Sequence, residues 1–167
     1  MQVVRSSPAL LTAVAAAVLG VVTPACVRPR PRGVETVLAV LPAESDAFPA
    51  AAEATTRALT DAEVPGIARR RISDVSLEVV QLSIECLEPT PACFAAVGRS
   101  LSAGQLLFAQ LAKGPRRREV TVTVTLFDVP SEQPRTTAKV FPTERAAVAG
   151  VTALVEEVTR APAEEAR

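Results

Sequence analysis

Residues 86–129 read CLEPTPACFAAVGRSLSAGQLLFAQLAKGPRRREVTVTVTLFDV, from Cys86 to Val129, and this stretch decides the fold. Pro91 suits a first helical turn, where its missing N–H would go unpaired in any case. Phe94, Val97 and Leu101 then recur at helical spacing and put one apolar stripe toward a core. Ala103-Gly104 supplies a helix stop. The run from Gln105 to Ala112 is too short and too continuously apolar for a surface helix and reads as a buried strand. Across the basic turn Lys113 to Arg118, the segment Glu119 to Val129 alternates strictly. Val120, Val122, Val124 and Leu126 share one face; Thr121, Thr123, Thr125 and Phe127 share the other. That pattern predicts a β-branched strand with one buried face and an exposed Thr face, joined to the preceding strand by an antiparallel hairpin.

Working outward, Thr36 to Leu41 is an apolar run ended by Pro42 and reads as the first, central strand. Ser45 or Asp46 can cap the helix that follows, with Pro49 in its first turn and Phe48, Ala51, Ala52, Thr55 and Leu59 on its inner face. Val64-Pro-Gly66 breaks the chain before Ile67–Ser73, a short edge strand. Asp74 is the expected cap of a helix from Val75 to Cys86, with Val75, Val79, Leu82 and Cys86 inward. On the far side, Arg135 to Phe141 completes a meander. A final helix from Pro142 to Arg160 places Ala147, Val151, Leu154, Val155 and Val158 on one face. The expected fold is therefore an α/β (α+β) sandwich: a mixed sheet of about five strands with helices packed on it, in the order β-α-β-α-α-β-β-β-α.

The chain has 167 residues, enough for one domain and a processing segment. Its core must come from Ala, Val and Leu, because there are five Phe and no Trp or Tyr. Lys plus Arg equal Asp plus Glu at 18 each, which excludes general nucleic-acid affinity, since phosphate neutralisation needs a basic excess. No His is present, so the commonest general base and metal ligand are both missing.

Ala9 to Val22 is an apolar run after a single Arg5, shorter than the roughly 20 residues that span a bilayer. It reads as a secretory signal over residues 1–25. Thr23-Pro-Ala-Cys26 admits two readings: a lipobox with Cys26 as the lipidated first residue, or ordinary cleavage after Ala25. Residues 26–34, rich in Pro and Arg, form the expected extended tether. Residues 35–160 form the single domain, and residues 161–167 a disordered tail. Ala25-Cys26 resembles bacterial lipoprotein signals, and that resemblance implies, for a lipidated Cys26 followed by Val27, a periplasmic protein anchored to the outer membrane.

Cys86 and Cys93 are the remaining pair in a chain exported to an oxidising space, and a disulfide between them is the favoured reading. Redox catalysis would want CxxC, and zinc two further ligands. Glu44 with Asp46, Glu85 with Glu88, and Glu156 with Glu157 are dispersed acids without a catalytic pairing. Ser76, Ser83, Ser100 and Ser102 have no His to activate them, and Gly98 and Gly104 form no phosphate loop. The expectation is no enzyme, no metal and no cofactor. Two Arg triplets, Arg69, Arg70, Arg71 and Arg116, Arg117, Arg118, concentrate charge. Each reads either as solvated surface or as a partner-binding patch.

The run AAVGRSLSAGQLLFAQL with its basic turn and VTVTVTLFDV resembles a bacterial pattern of a Gly-rich helix end, an apolar strand and an alternating strand ending in Asp-Val. It is found in curli-secretion-type lipoproteins, in penicillin-binding-protein-activator lipoproteins and in the amino-terminal domain of TolB. The paired cysteines before it also resemble an element of myxobacterial-type envelope proteins. Ser102-Ala-Gly-Gln105 stands where Gly-Ala-Asp is usual. The resemblance implies a non-catalytic envelope lipoprotein whose membrane-tethered adaptor domain binds another envelope protein. The alternatives are a subunit of a curli-type secretion or outer-membrane assembly complex, and a hydrolase. The first of these would want long alternating insertions, and the second a base.

Overall fold

The computed structural model describes residues 36–86 and 88–160. The expected signal, Cys26, the tether and the tail 161–167 lie outside the described residues. The elements are β1 (Val37–Val40), α1 (Pro49–Asp61), β2 (Arg69–Ile72), α2 (Leu77–Ser83), α3 (Pro91–Ser100), β3 (Gln105–Lys113), β4 (Val120–Asp128), β5 (Gln133–Phe141) and α4 (Glu144–Arg160). They follow the expected order. The five strands form one mixed sheet, β2-β1-β3-β4-β5. β1 runs parallel to β2 and β3, and β3, β4 and β5 form an antiparallel meander.

Period-two alternation sorts the strand side chains between two layers. On one face Leu38, Val40, Leu107, Val122, Val124 and Leu126 meet α1 and the Ala147, Val151, Leu154, Val155 and Val158 stripe of α4. On the other, Ala39, Leu41, Leu106, Phe108 and Phe127 meet Leu77 and Val80 of α2 and Ala95 and Val97 of α3. Phe94 completes this second layer with its ring centroid 5.6 Å from those of Phe108 and Phe127. β3 is buried on both faces only from Leu106 to Ala109, as the apolar run there requires; Gln110, Ala112 and Lys113 are exposed, so the second half of the expected buried strand has one open face.

Four further details differ from the sequence reading. The Thr side of β4 is not an open face: Phe127 is 0% and Thr125 7% exposed, because α2 and α3 cover that half of the sheet. Only Thr121 and Thr123 remain half-buried. The N-cap of α1 is Phe48, with no side-chain cap. Ser45 nevertheless serves the entry by accepting the Phe48 N–H at 3.1 Å. The left-handed residue after α3 is Ser102 (φ 52) rather than Gly104. Gly104 is needed for closeness instead, since a Cβ there would stand 3.2 Å from Thr36 Cγ2. Finally, α2 is shorter than expected and turned, as described below.

Thr55 in α1 is fully buried, and its hydroxyl has no hydrogen-bond partner among the described residues. An unpaired buried polar group costs free energy that an apolar group of the same shape does not. Thr55→Val keeps the branched shape. It is expected to raise stability by about 1 kcal/mol, a gain of about 3–5 °C in Tm by calorimetry.

Candidate functional site

Gly66 (φ +78) makes the turn that brings the chain back beside β1, and β2 then lies at the sheet margin. In register with Val37, Leu38 and Ala39, the first Arg triplet is divided between the two faces. Arg70 lies on the α1 side, and its guanidinium donates to the carbonyls of Thr60 and Ala62 at the end of that helix. Arg71 lies on the α3 side and donates through Nη1 to Leu101 O at 2.7 Å, the C-cap of α3. Arg135 on the opposite edge, β5, does the same for α4 through Thr159 O at 3.0 Å. Helix C-termini present unsatisfied carbonyls and partial negative charge, and α1 has no basic residue in its own last turn. The edge strands therefore supply cations to helix ends on both faces.

The second triplet sits at the β3–β4 turn, where Arg118 is left-handed (φ 78). Arg116 donates to Glu119 through its backbone N–H (3.0 Å) and Nη1 (3.4 Å). The two triplets do not form one patch. Arg70 is level with Leu38, which is level with Gln105. The turn begins after Lys113, eight residues further along β3, or about 26 Å at the usual strand rise of about 3.3 Å per residue.

The clearest unburied apolar feature is α2. Its N-cap is Ser76, whose hydroxyl accepts the Val79 N–H, so the helix starts after Ser76 and not after the expected Asp74. That start fixes the rotation. Leu77 and Val80 point into the core, while Val75, Val79 and Leu82, expected inside, are 42%, 51% and 56% exposed. The correction has a plain cause: the segment carries apolar residues on two faces, and the cap selects between them. The Glu44 carboxylate, expected only as a dispersed acid, accepts the Glu78 N–H at 2.9 Å and holds the first turn of α2.

A disulfide joins Cys86, just past α2, to Cys93 in the first turn of α3, with Cα atoms 5.7 Å apart. Thr90 caps α3 by accepting the Cys93 N–H. Closing so short a loop is worth about 2–3 kcal/mol by chain-entropy arithmetic. Reduction of the folded protein is expected to lower its unfolding free energy by about that amount, and thiol labelling of the oxidised, denatured chain should find neither cysteine free.

Two further acids have partners within the fold. Glu156 pairs with Arg160 at 3.7 Å. Asp128 closes the β4–β5 turn by accepting from Ser131 N (3.0 Å) and Ser131 Oγ (2.6 Å). Burial pushes the Asp128 carboxyl upward, and the bonds from Ser131 and Gln105, with the nearby Arg135, outweigh it and leave its pKa below the usual value. Among the described residues no group of three or more His, Cys, Asp or Glu could hold a metal ion. No described helix is long and apolar enough to cross a membrane.

No family model matches the chain, and no curated protein does. Several solved structures match the chain at low identity. The C-terminal domain of LpoB from Salmonella enterica is 16% identical over 66% of this chain and 86% of its own, with a TM-score of 0.43. The corresponding domain from Escherichia coli is 14% identical over 64% and 82%, with a TM-score of 0.37. TolB from Acinetobacter baumannii is 14% identical over 75% of this chain and 28% of its own, with a TM-score of 0.40. Likenesses of this size assign no function.

Proposed function

We propose that the chain is a non-catalytic adaptor of the bacterial envelope, tethered to the outer membrane through Cys26, whose folded domain binds another envelope protein. One observation carries the reading. Val79 and Leu82 on α2, with Val75 just before its cap, stand 42–56% exposed, while Leu77 and Val80 already supply the packing that holds the helix. A helix that keeps a second apolar stripe in water is a docking feature. The triplet at the β3–β4 turn would set encounter rate more than affinity.

The test is a photoreactive side chain introduced at Leu82 in the full chain in its native envelope, with Glu157 on α4 as the control position. The expected result is one envelope protein trapped at position 82 and not at 157, and lost when Val79→Lys is added, with the unfolding midpoint unchanged. Equal labelling at both positions, or none, would sink the adaptor reading.

A further inference from the structure

The margin of β2 carries backbone groups directed away from the sheet. Ser73 N donates to Val40 O at 2.9 Å, and Arg69–Ile72 is in parallel register with Val37–Val40. In a parallel ladder alternate residues bond toward the neighbour. Arg69, Arg71 and Ser73 therefore face β1, and the N–H and C=O of Arg70 and Ile72 face outward. We infer that this margin takes an extended acidic segment of the partner as a sixth strand, an inference that rests on the adaptor reading and names how the partner docks.

Charge decides the occupant. All three side chains from Arg69 to Arg71 are cationic, and Arg70 and Arg71 are held in place by the helix-end carbonyls of Thr60, Ala62 and Leu101. A guanidinium has five N–H donors, so capping a helix leaves donors for a carboxylate. A fixed cation also loses less freedom on binding than a loose one. An antiparallel pairing of β2 with β2 of a second copy would set arginine against arginine, which opposes it. At the end of the strand Ile72 is 45% exposed and offers an apolar contact beyond the charges. Main-chain bonds would then give affinity and the arginines the choice of sequence.

Two fluorescein-labelled octapeptides test this, one alternating Glu with Val and one alternating Lys with Val, titrated into the full chain at low salt by fluorescence anisotropy. The acidic peptide is expected to bind at least about tenfold more tightly, and more weakly as salt rises. Ile72→Pro removes one outward N–H and leaves the bonds to β1. It should cut that affinity about tenfold with little change in the unfolding midpoint. Should Ile72→Pro fail to fold, Arg69→Glu is the second variant, and it should abolish the preference for the acidic peptide. Equal binding of both peptides, or acidic-peptide binding that neither variant alters, overturns the inference. If the peptides fail while position 82 still traps an envelope protein, the adaptor stands and strand addition falls. If the acidic peptide binds and position 82 traps nothing, the margin stays an acidic-peptide site and the adaptor reading falls.

Discussion

Phe127→Ala is expected to lower the unfolding free energy by about 3–5 kcal/mol, read as a shift of the urea midpoint with an unchanged slope. Phe127 is 0% exposed and heads the largest fully buried side chains. It lies in the layer under α2 and α3, where most of its neighbours are small aliphatics. Its ring meets Phe94 edge-on at 5.6 Å, a geometry worth something beyond area. With five Phe and no Trp or Tyr in the chain, little bulk is at hand to refill the space. Domains hold only about 5–15 kcal/mol in total, so this substitution should consume a large share. A loss under about 1 kcal/mol would mean that α3 does not cover the strand as described.

Gly98→Ala should be damaging too, at about 3 kcal/mol, against the usual rule. Replacing an interior helix glycine ordinarily stabilises by up to about 1 kcal/mol. Here an added Cβ would stand 2.2 Å from Val129 Cγ2 and 3.1 Å from Cγ1. Val129 cannot easily retreat: its side chain is branched and stiff, and its N–H is bonded to Gly104 O at 3.0 Å. The glycine lets α3 lie close against the end of β4. Val129→Ala in the same chain should recover much of the loss, a double-mutant coupling of about 1–2 kcal/mol. Strict additivity would show that the clash is relieved elsewhere.

The legible parts of the fold were those with a single periodic solution. Val120, Val122, Val124 and Leu126 alternate over a full strand, and the α4 stripe repeats over a 17-residue helix, so each has one way to face a core. The seven residues of α2 have no such uniqueness. Apolar side chains at Val75, Leu77, Val79, Val80, Leu82 and Ile84 satisfy two stripes, and only the choice between Asp74 and Ser76 as cap separates them. Ser76 was the available signal, and reading it would have put Leu77 and Val80 inside. The covering of Thr125 and Phe127 was illegible for another reason, because it depends on where α2 and α3 land. The arginines of β2 showed only as charge, since the carbonyls they reach, at Thr60, Ala62 and Leu101, are distant in sequence. Of the candidate site, the location of both triplets at an edge and a turn was legible. The apolar stripe on the outer side of α2 was not.

The arginines that run from edge strands to helix ends also bear on how the domain breathes. When β2 peels from β1, Arg70 and Arg71 leave the terminal carbonyls of α1 and α3 without partners. Loosening of either helix end likewise frees the side chains that hold the strand in place. Fraying at the margin is then not a private event of a four-residue strand. The last turns of α1 and α3 belong with β2 to one opening unit, whose amides are expected to exchange with solvent deuterium with a common opening free energy, below that of the β3–β4 pair.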